Sequence, residues 1–223
     1  VSTILVLGAG GRSGSAAARE LLGEGHEVVA ATRRPGPAAH PVDPRARRVV
    51  ADVTDVGAVA RAAAGCDVVV DATRQAGAIP VDRLVRLHEG VRDALALAGV
   101  ARLVVVGGAG ALRLATGRWF WEHPAFPART TPRGAAHARL REHLETRTTP
   151  GLTWSYLIPP PDFAPDGERT GQVSAARPGG AEDDHLGRAV SYADFAYALA
   201  RHVGDPAASG VLLVCGDAGV APG

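Results

Sequence analysis

The stretch best suited to chemistry is Gly8-Ala9-Gly10-Gly11-Arg12-Ser13-Gly14, which follows the apolar run Val1–Leu7 and precedes a segment of helix length. In a strand-to-helix turn of this kind, one glycine makes the tight turn. A second lets the backbone approach a pyrophosphate, and a third lets the helix pack close to the sheet. The glycines fit the spacing G-x-x-G-x-x-G at Gly8, Gly11 and Gly14; a G-x-G-x-x-G reading from Gly8 and Gly10 fails at Ser13. The helix that begins here turns free N–H groups and a positive dipole end toward the turn, so the chemistry is phosphate binding. Gly10, Arg12 and Ser13 belong to the same cradle. A glycine-rich turn that binds nothing looks the same in isolation; its place between strand and helix in an alternating chain argues for the ligand.

The second strand ends in Ala30-Ala31-Thr32-Arg33-Arg34. An Asp or Glu at this point holds a ribose 2′-hydroxyl in NAD-preferring sites. Here two guanidiniums stand instead, and arginine forks onto a 2′-phosphate. The expected cofactor is therefore NADP(H), with Arg33 the first contact and Arg34 the second, against the plainer reading of two solvated surface arginines. After the third strand, Ala51-Asp52-Val53 lies where an adenine ring belongs, with Asp52 to accept from its amine and Val53 to pack on the ring; an ordinary strand-end turn fits equally well.

The elements that position these residues follow from alternating apolar runs and helix-length segments. Strands are expected at Val1–Leu7, Glu27–Ala31, Arg48–Ala51, Asp67–Asp71, Leu103–Val106, Leu152–Ile158 and Val211–Val214. Helices are expected over 12–23 (inner face Ala16, Ala17, Leu21 and Leu22), Asp55–Ala63, Pro80–Ala98 (stripe Leu84, His88, Val91 and Leu95), 132–147 and Tyr192–His202. Ser191 suits the last helix as N-cap, with Asp194 completing an approximate capping box. Short continuous Val/Leu runs fit parallel strands covered on both faces. The fold class is thus α/β, a Rossmann-type doubly wound parallel sheet in a single domain over 1–223. Residues 107–131 form a long loop and 159–186 an irregular insertion, both expected on the substrate side.

Bulk properties narrow the partners. The 223 residues carry 24 basic and 23 acidic groups, a net charge of +1, so no global field draws the chain to nucleic acid or an anionic membrane. Apolar runs are strand-length, far short of the roughly 20 residues that span a bilayer, and no signal pattern precedes the glycine turn. Every basic residue among the 24 is Arg, so no lysine is available as a base or a Schiff-base nucleophile. Cys66 and Cys215 read as small buried residues in a reducing cytoplasm. No metal-ligand spacing appears; Asp183-Asp184-His185 reads as an acidic solvated loop.

Further motifs carry a resemblance. Besides the glycine turn they are Gly25-His26-Glu27-Val28, Ala51-Asp52-Val53-Thr54-Asp55, Val104-Val105-Val106-Gly107-Gly108-Ala109-Gly110, Pro124-Ala125-Phe126-Pro127, Gly167-Glu168-Arg169-Thr170-Gly171 and Ser191-Tyr192-Ala193-Asp194-Phe195-Ala196. From Val1 to about Cys215 the chain resembles the atypical short-chain dehydrogenase/reductase family with an NAD(P)H-binding domain. Within it the chain is similar to the small NADH-flavin reductases and biliverdin-reductase-type proteins. The resemblance implies cofactor contacts from Ala72, Thr73 and Arg74, from Gly107 and Gly108, and, near the nicotinamide, from Pro159 and Pro160. The chain departs from the family's full machinery: without lysine the Tyr-x-x-x-Lys pair cannot exist, and Thr130-Thr131-Pro132 stands where the subgroup often has Tyr-Lys-Pro.

Chemistry would then rest on the cofactor, with the protein holding the acceptor against it. The loop Arg118–Phe126 holds Trp119, Phe120, Trp121 and Phe126, four of the chain's ten aromatics, and is the expected substrate wall together with Pro160. A loop tacked to its own scaffold is the plainer alternative. The acid–base candidates are His123 in that loop, ranked first, and His137 on the helix where a Tyr-x-x-x-Lys pair would lie. His88 is expected to be a packed histidine and Tyr156 a core ring, while Asp71 either bonds the nicotinamide ribose or simply ends its strand. Three functions compete: an NADPH-dependent reductase of a planar or hydrophobic small molecule (flavin, quinone, enone or ketone), a non-redox isomerase, dehydratase or cyclase on the same fold, and a non-catalytic NADP(H) sensor. Monomer or homodimer is the expected assembly.

Overall fold

Strands β1 (Thr3–Leu7), β2 (Glu27–Thr32), β3 (Arg47–Val50), β4 (Val68–Asp71), β5 (Arg102–Val106) and β6 (Thr153–Ile158) lie parallel in the order 3-2-1-4-5-6 in the computed structural model, which describes residues 1–75, 79–147 and 149–216. The chain leaves β1 toward one edge through β2 and β3, then returns to the centre and builds outward through β4, β5 and β6. The order therefore reverses beside β1, and a crevice opens there at the carboxyl ends of β1 and β4. Helices α1 (Arg12–Gly23), α2 (Val56–Ala63), α3 (Arg83–Ala98), α4 (Thr131–Thr146) and α5 (Tyr192–His202) cover both faces.

Side chains alternate across β1. Leu5 and Leu7 face a core built with Val59 of α2, Leu87 and Leu95 of α3 and Leu140 of α4; Ile4 and Val6 face a second core with Leu21 of α1 and Leu199 of α5. Full burial of one such side chain contributes about 1.5–3 kcal/mol. The stripe of α3 is buried as its spacing predicts, including His88, and the helix ends at Gly99 in the left-handed region (φ +72°). Asp55 caps α2 by accepting the Ala58 N–H, and Ser191 caps α5 by accepting that of Asp194.

The C-terminal third departs from expectation. The segment 159–186 is no plain insertion: β7 (Asp162–Ala164) pairs with β9 (Ala189–Ser191), and β8 (Val173–Ala176) joins the main sheet antiparallel to β10 (Gly210–Gly216), which itself continues the sheet beside β6. Residues 107–131 contain three short 3-10 turns. On α1, Ser15 and Ala18 are buried, whereas Ala16 and Leu22 are half-exposed; α5 packs on one flank and rotates the inner face. The capping box at α5 does not form, because the Asp194 carboxylate accepts from the N–H groups of Thr170 and Gly171 and from the Thr170 hydroxyl. β3 is an exposed edge rather than a strand covered on both faces, and Cys215 is half-buried while Cys66 is buried. Among the described residues no helix is long and apolar enough to cross a membrane, and no cluster of His, Cys, Asp and Glu could hold a metal ion.

A buried ion pair ties these irregular segments together. Arg141 on α4 forks onto Glu182 at 2.7 and 2.8 Å, with both side chains at most 3% exposed. Arg141 also donates to the Ala111 carbonyl (2.7 Å) and to Glu145 (3.0 Å), and Glu182 accepts the Arg113 N–H (2.8 Å). One residue on, Asp183 accepts the Ala115 N–H at 2.7 Å.

Two consequences for stability follow. Arg141→Met strands the Glu182 carboxylate without its partner, so urea denaturation will show a loss of about 3–5 kcal/mol; a loss below about 1 kcal/mol would mean the pair is inert. Burial, with Arg92 and His143 nearby, holds His88 down to about 3 against an ordinary value of 6.5. Above pH 6.5 the ring is neutral in folded and unfolded chain alike and costs nothing. Below it the unfolded chain takes a proton the folded one refuses, so stability falls by about 1.4 kcal/mol per pH unit until pH 3. The difference in unfolding free energy between pH 7 and pH 5 will shrink by roughly 2 kcal/mol in His88→Leu; an unchanged difference would show that His88 is not the group refusing the proton.

Candidate functional site

The glycine turn is shaped by contacts that a side chain would destroy. Gly8 has φ +76°, and a Cβ on it would come within 2.8 Å of the Ala72 carbonyl oxygen, so the exit of β4 lies directly against the turn. A Cβ on Gly14 would strike the Gly8 carbonyl oxygen, which fixes how closely α1 approaches β1. Gly10 touches the loop that follows β2: its Cβ would sit 2.7 Å from that of Ala38, and its carbonyl accepts the His40 N–H at 3.0 Å. Gly11 is the N-cap of α1 and offers no side chain to close the helix end. The first intrahelical bond runs from the Ser15 N–H to the Gly11 carbonyl, and among the described residues the N–H groups of Arg12, Ser13 and Gly14 have no acceptor. This is a cradle of backbone donors at a helix N-terminus, and it fits a pyrophosphate. A cavity of about 300 Å³ opens beside it along α1, lined by Arg12, Ser15, Arg19, His40, Asp166 and Tyr192.

Arg33 and Arg34 are exposed at the end of β2, and neither forms an ion pair among the described residues. Asp52 lies near enough to feel both charges, but its Oδ1 is engaged by the N–H and hydroxyl of Thr54 at 2.9 and 2.8 Å. Those bonds first, and the two arginines second, hold its carboxyl below the usual range. Val53 packs on the core. At the next strand end Asp71 is buried and raised by that burial; its Oδ1 accepts the Thr73 N–H at 3.0 Å, while Arg74 stands exposed.

The ends of β5 and β6 form the inner wall. The Gly107 N–H donates to the Leu157 carbonyl at 2.7 Å, and a Cβ on Gly107 would press on that oxygen and on the Tyr156 ring. A Cβ on Gly108 would lie 2.8 Å from Cδ2 of His137. The two glycines therefore make room for a pair of rings at the crevice. Tyr156 is fully buried, and its hydroxyl lies 2.8 Å from His137 Nδ1 and 3.3 Å from the His137 carbonyl. The hydroxyl either donates to Nδ1, which puts the imidazole hydrogen on Nε2, or accepts from Nδ1–H and donates to the His137 carbonyl. Nε2 has no hydrogen-bond partner among the described residues. Burial, assisted by Arg133, pushes His137 down to about 4, and burial pushes the Tyr156 phenol up. Pro159 and Pro160 are buried where β6 ends.

The aromatic loop turns largely inward. Phe120 is 4% exposed in the core, and Phe126 meets it edge-on at 5.2 Å. Trp121 and Phe126 sit so close to α4 that a Cβ on Gly134 would collide with both, and Trp119 lies under the Arg113 guanidinium at 4.5 Å. Most of this expected substrate wall is spent on holding α4. His123 is exposed, and its Nδ1 accepts the Ala125 N–H at 3.1 Å within its own turn. Of the two histidines, His137 is the one that reaches the strand ends.

Sequence reasoning missed Arg133, one turn before His137 on α4, although the i, i+4 spacing was visible. It also treated Tyr156 as a core ring only; the ring is core, but its hydroxyl orients His137. The Arg141–Glu182 pair has no local signal, since 41 residues separate its members.

Relatives agree with this architecture. An uncharacterized Bacillus subtilis protein, YwnB, is 28% identical over 198 residues, 87% of this chain and 88% of its own length. Among solved structures, a Burkholderia pseudomallei protein provisionally described as exported is 28% identical with a TM-score of 0.81, covering 96% of this chain and 100% of that one. A Streptococcus pneumoniae protein provisionally described as an NADH-flavin reductase is 25% identical with a TM-score of 0.79, covering 97% and 100%. The model of the NAD(P)H-binding family matches residues 8–206, and with the glycine cradle at the head of α1 this establishes that the chain belongs to that family.

Proposed function

We propose that the chain is an NADP(H)-dependent reductase that delivers hydride to a planar or hydrophobic small molecule such as a flavin, quinone, enone or ketone. The observation that carries this reading is the open N-terminus of α1 above Gly8, Gly11 and Gly14, set beside the ends of β4 and β5 where a nicotinamide belongs. The likeness to a protein described as an NADH-flavin reductase supports it. The cradle of Gly8, Gly10, Gly11, Arg12, Ser13 and Gly14 receives the pyrophosphate. Arg33, with Arg34, forks onto a 2′-phosphate, which is the basis for choosing NADP(H) over NAD(H). Asp52 and Val53 flank the adenine; Ala72, Thr73, Gly107, Gly108 and Pro159 line the path toward the nicotinamide.

When bound, the reduced nicotinamide supplies a hydride. The protein's part is to hold the acceptor and to meet the charge that gathers on its oxygen or nitrogen. Nε2–H of His137 is the group placed for this. Because the imidazole stays neutral down to about pH 4, it acts as a hydrogen-bond donor across the working range, and the proton that completes the reduction comes from water. Tyr156 is a positioning residue: by donating to Nδ1, its hydroxyl fixes the tautomer that leaves the hydrogen on Nε2. A planar substrate, rather than a nucleic acid or a membrane, fits a chain of net charge +1, working as a monomer or homodimer in the cytoplasm.

Titration of the purified protein with NADPH and NADH, followed by absorbance at 340 nm with a panel of flavins, quinones and enones, tests the reading. NADPH will bind more tightly and will be oxidised by at least one acceptor; tight binding without oxidation would hand the site to non-redox chemistry or to sensing. Arg33→Ser will weaken NADPH about tenfold or more, the worth of a charged hydrogen bond, and leave NADH within twofold. Equal losses for both nucleotides would sink the 2′-phosphate assignment. His137→Gln will lower kcat about 100-fold while the NADPH Kd stays within twofold. Full activity in that variant would remove His137 from the chemistry.

A further inference from the structure

Arg133 is an unbalanced charge at the rim of the crevice. Among the described residues its buried Nε has no hydrogen-bond partner and the guanidinium makes no ion pair. Its electrostatic neighbours are Arg74, from the exit of β4, and the phenol of Tyr192, from the start of α5; no carboxylate stands with them. These three residues come from different layers. α4 packs on one face of the sheet, α5 on the other, and Arg74 leaves the strand ends between them. Arg133 shares the helix face of His137, whose ring lies against Gly108 at the end of β5, so it stands at the crevice. The half-buried guanidinium leaves its Nε–H without an acceptor, a cost that an arriving anion removes.

The phosphates of the nucleotide have other partners. The pyrophosphate is met by the backbone donors of α1, and the 2′-phosphate by Arg33 and Arg34 at the far end of the crevice. Arg133 stands instead four residues before His137 on α4, which puts the two side chains on one helix face about 5–6 Å apart at their Cβ atoms.

We propose that Arg133, flanked by Arg74, is a carboxylate-binding subsite, so that the acceptor is a planar acid whose carboxylate pairs with Arg133 while a carbonyl or conjugated oxygen about one helical turn away meets Nε2–H of His137. This rests on the reductase reading for what happens to the acceptor, but not for its binding. The subsite selects acids over their neutral esters and amides and sets the register of the ring system along α4. An arginine suits this task because its planar fork matches both oxygens of a carboxylate.

The test is calorimetric titration of the full chain, saturated with NADP⁺, with 2-naphthoate and with 2-naphthamide, which share a ring and differ in charge. Naphthoate will bind at least tenfold more tightly than the amide. Arg133→Gln will reduce that ratio to between one and two while leaving the NADP⁺ Kd within twofold. Equal affinities in the unaltered protein, or no naphthoate binding, overturn the subsite without recourse to any variant. A tenfold loss of NADP⁺ affinity in Arg133→Gln also overturns it and assigns the guanidinium to the nucleotide. Because the readout is binding, failure of every acceptor to oxidise NADPH would remove the reductase reading and leave this result standing.

Discussion

The bidentate bond between Arg141 and Glu182 is the constraint on which the irregular side of the molecule depends. It closes a circuit: α4 carries the arginine, the segment before the Asp183–Gly187 turn carries the carboxylate, and the backbone of 111–113 bonds to both. Two charges taken out of water gain little net stability from each other. What they gain is a single allowed geometry, because any slip of α4 along its axis would leave a buried charge unpaired. His137 and Arg133 lie one and two turns earlier on the same helix, so their positions at the rim are inherited from that bond.

The crevice is thus built in two different ways. One side is made of backbone: glycines that admit α1 to within contact of β1 and leave helix N–H groups without acceptors. The other side is made of side chains held by a polar network and by aromatic rings packed under α4. Backbone donors suit a ligand part that never varies, such as a pyrophosphate. Side chains on a helix suit the part that differs from one relative to the next, since they change without disturbing the turn.

Much of this was readable in advance. The βα alternation, the strand assignments through β6, α1 over 12–23, α5 over Tyr192–His202 and the Ser191 cap all follow from local periodicity and capping chemistry, and the structure agrees. The glycine turn was legible because its shape is set by consecutive residues. The C-terminal third was not, because β8 and β7 are stabilised by pairing with β10 and β9, strands far along the chain, and their own residues (Val173-Ser174-Ala175-Ala176, Asp162-Phe163-Ala164) carry no strong strand pattern. The aromatic loop misled for a related reason: a cluster of rings signals burial or recognition equally, and only the position of Gly134 beneath Trp121 and Phe126 shows which. The ranking of His123 over His137 followed from that same loop. His137 depends on a tyrosine 19 residues away, and no local pattern could reveal the pairing.

The edge formed by β3 carries one more consequence. Arg47 and Arg48 are both exposed there, and Arg48 reaches across to the Gly36 carbonyl at 3.0 Å. An open strand edge is a template on which a second sheet could continue. Two copies approaching along this edge would bring four guanidiniums together. The residues that leave β3 poorly buried thereby guard the molecule against sheet-to-sheet stacking and the aggregation that follows from it.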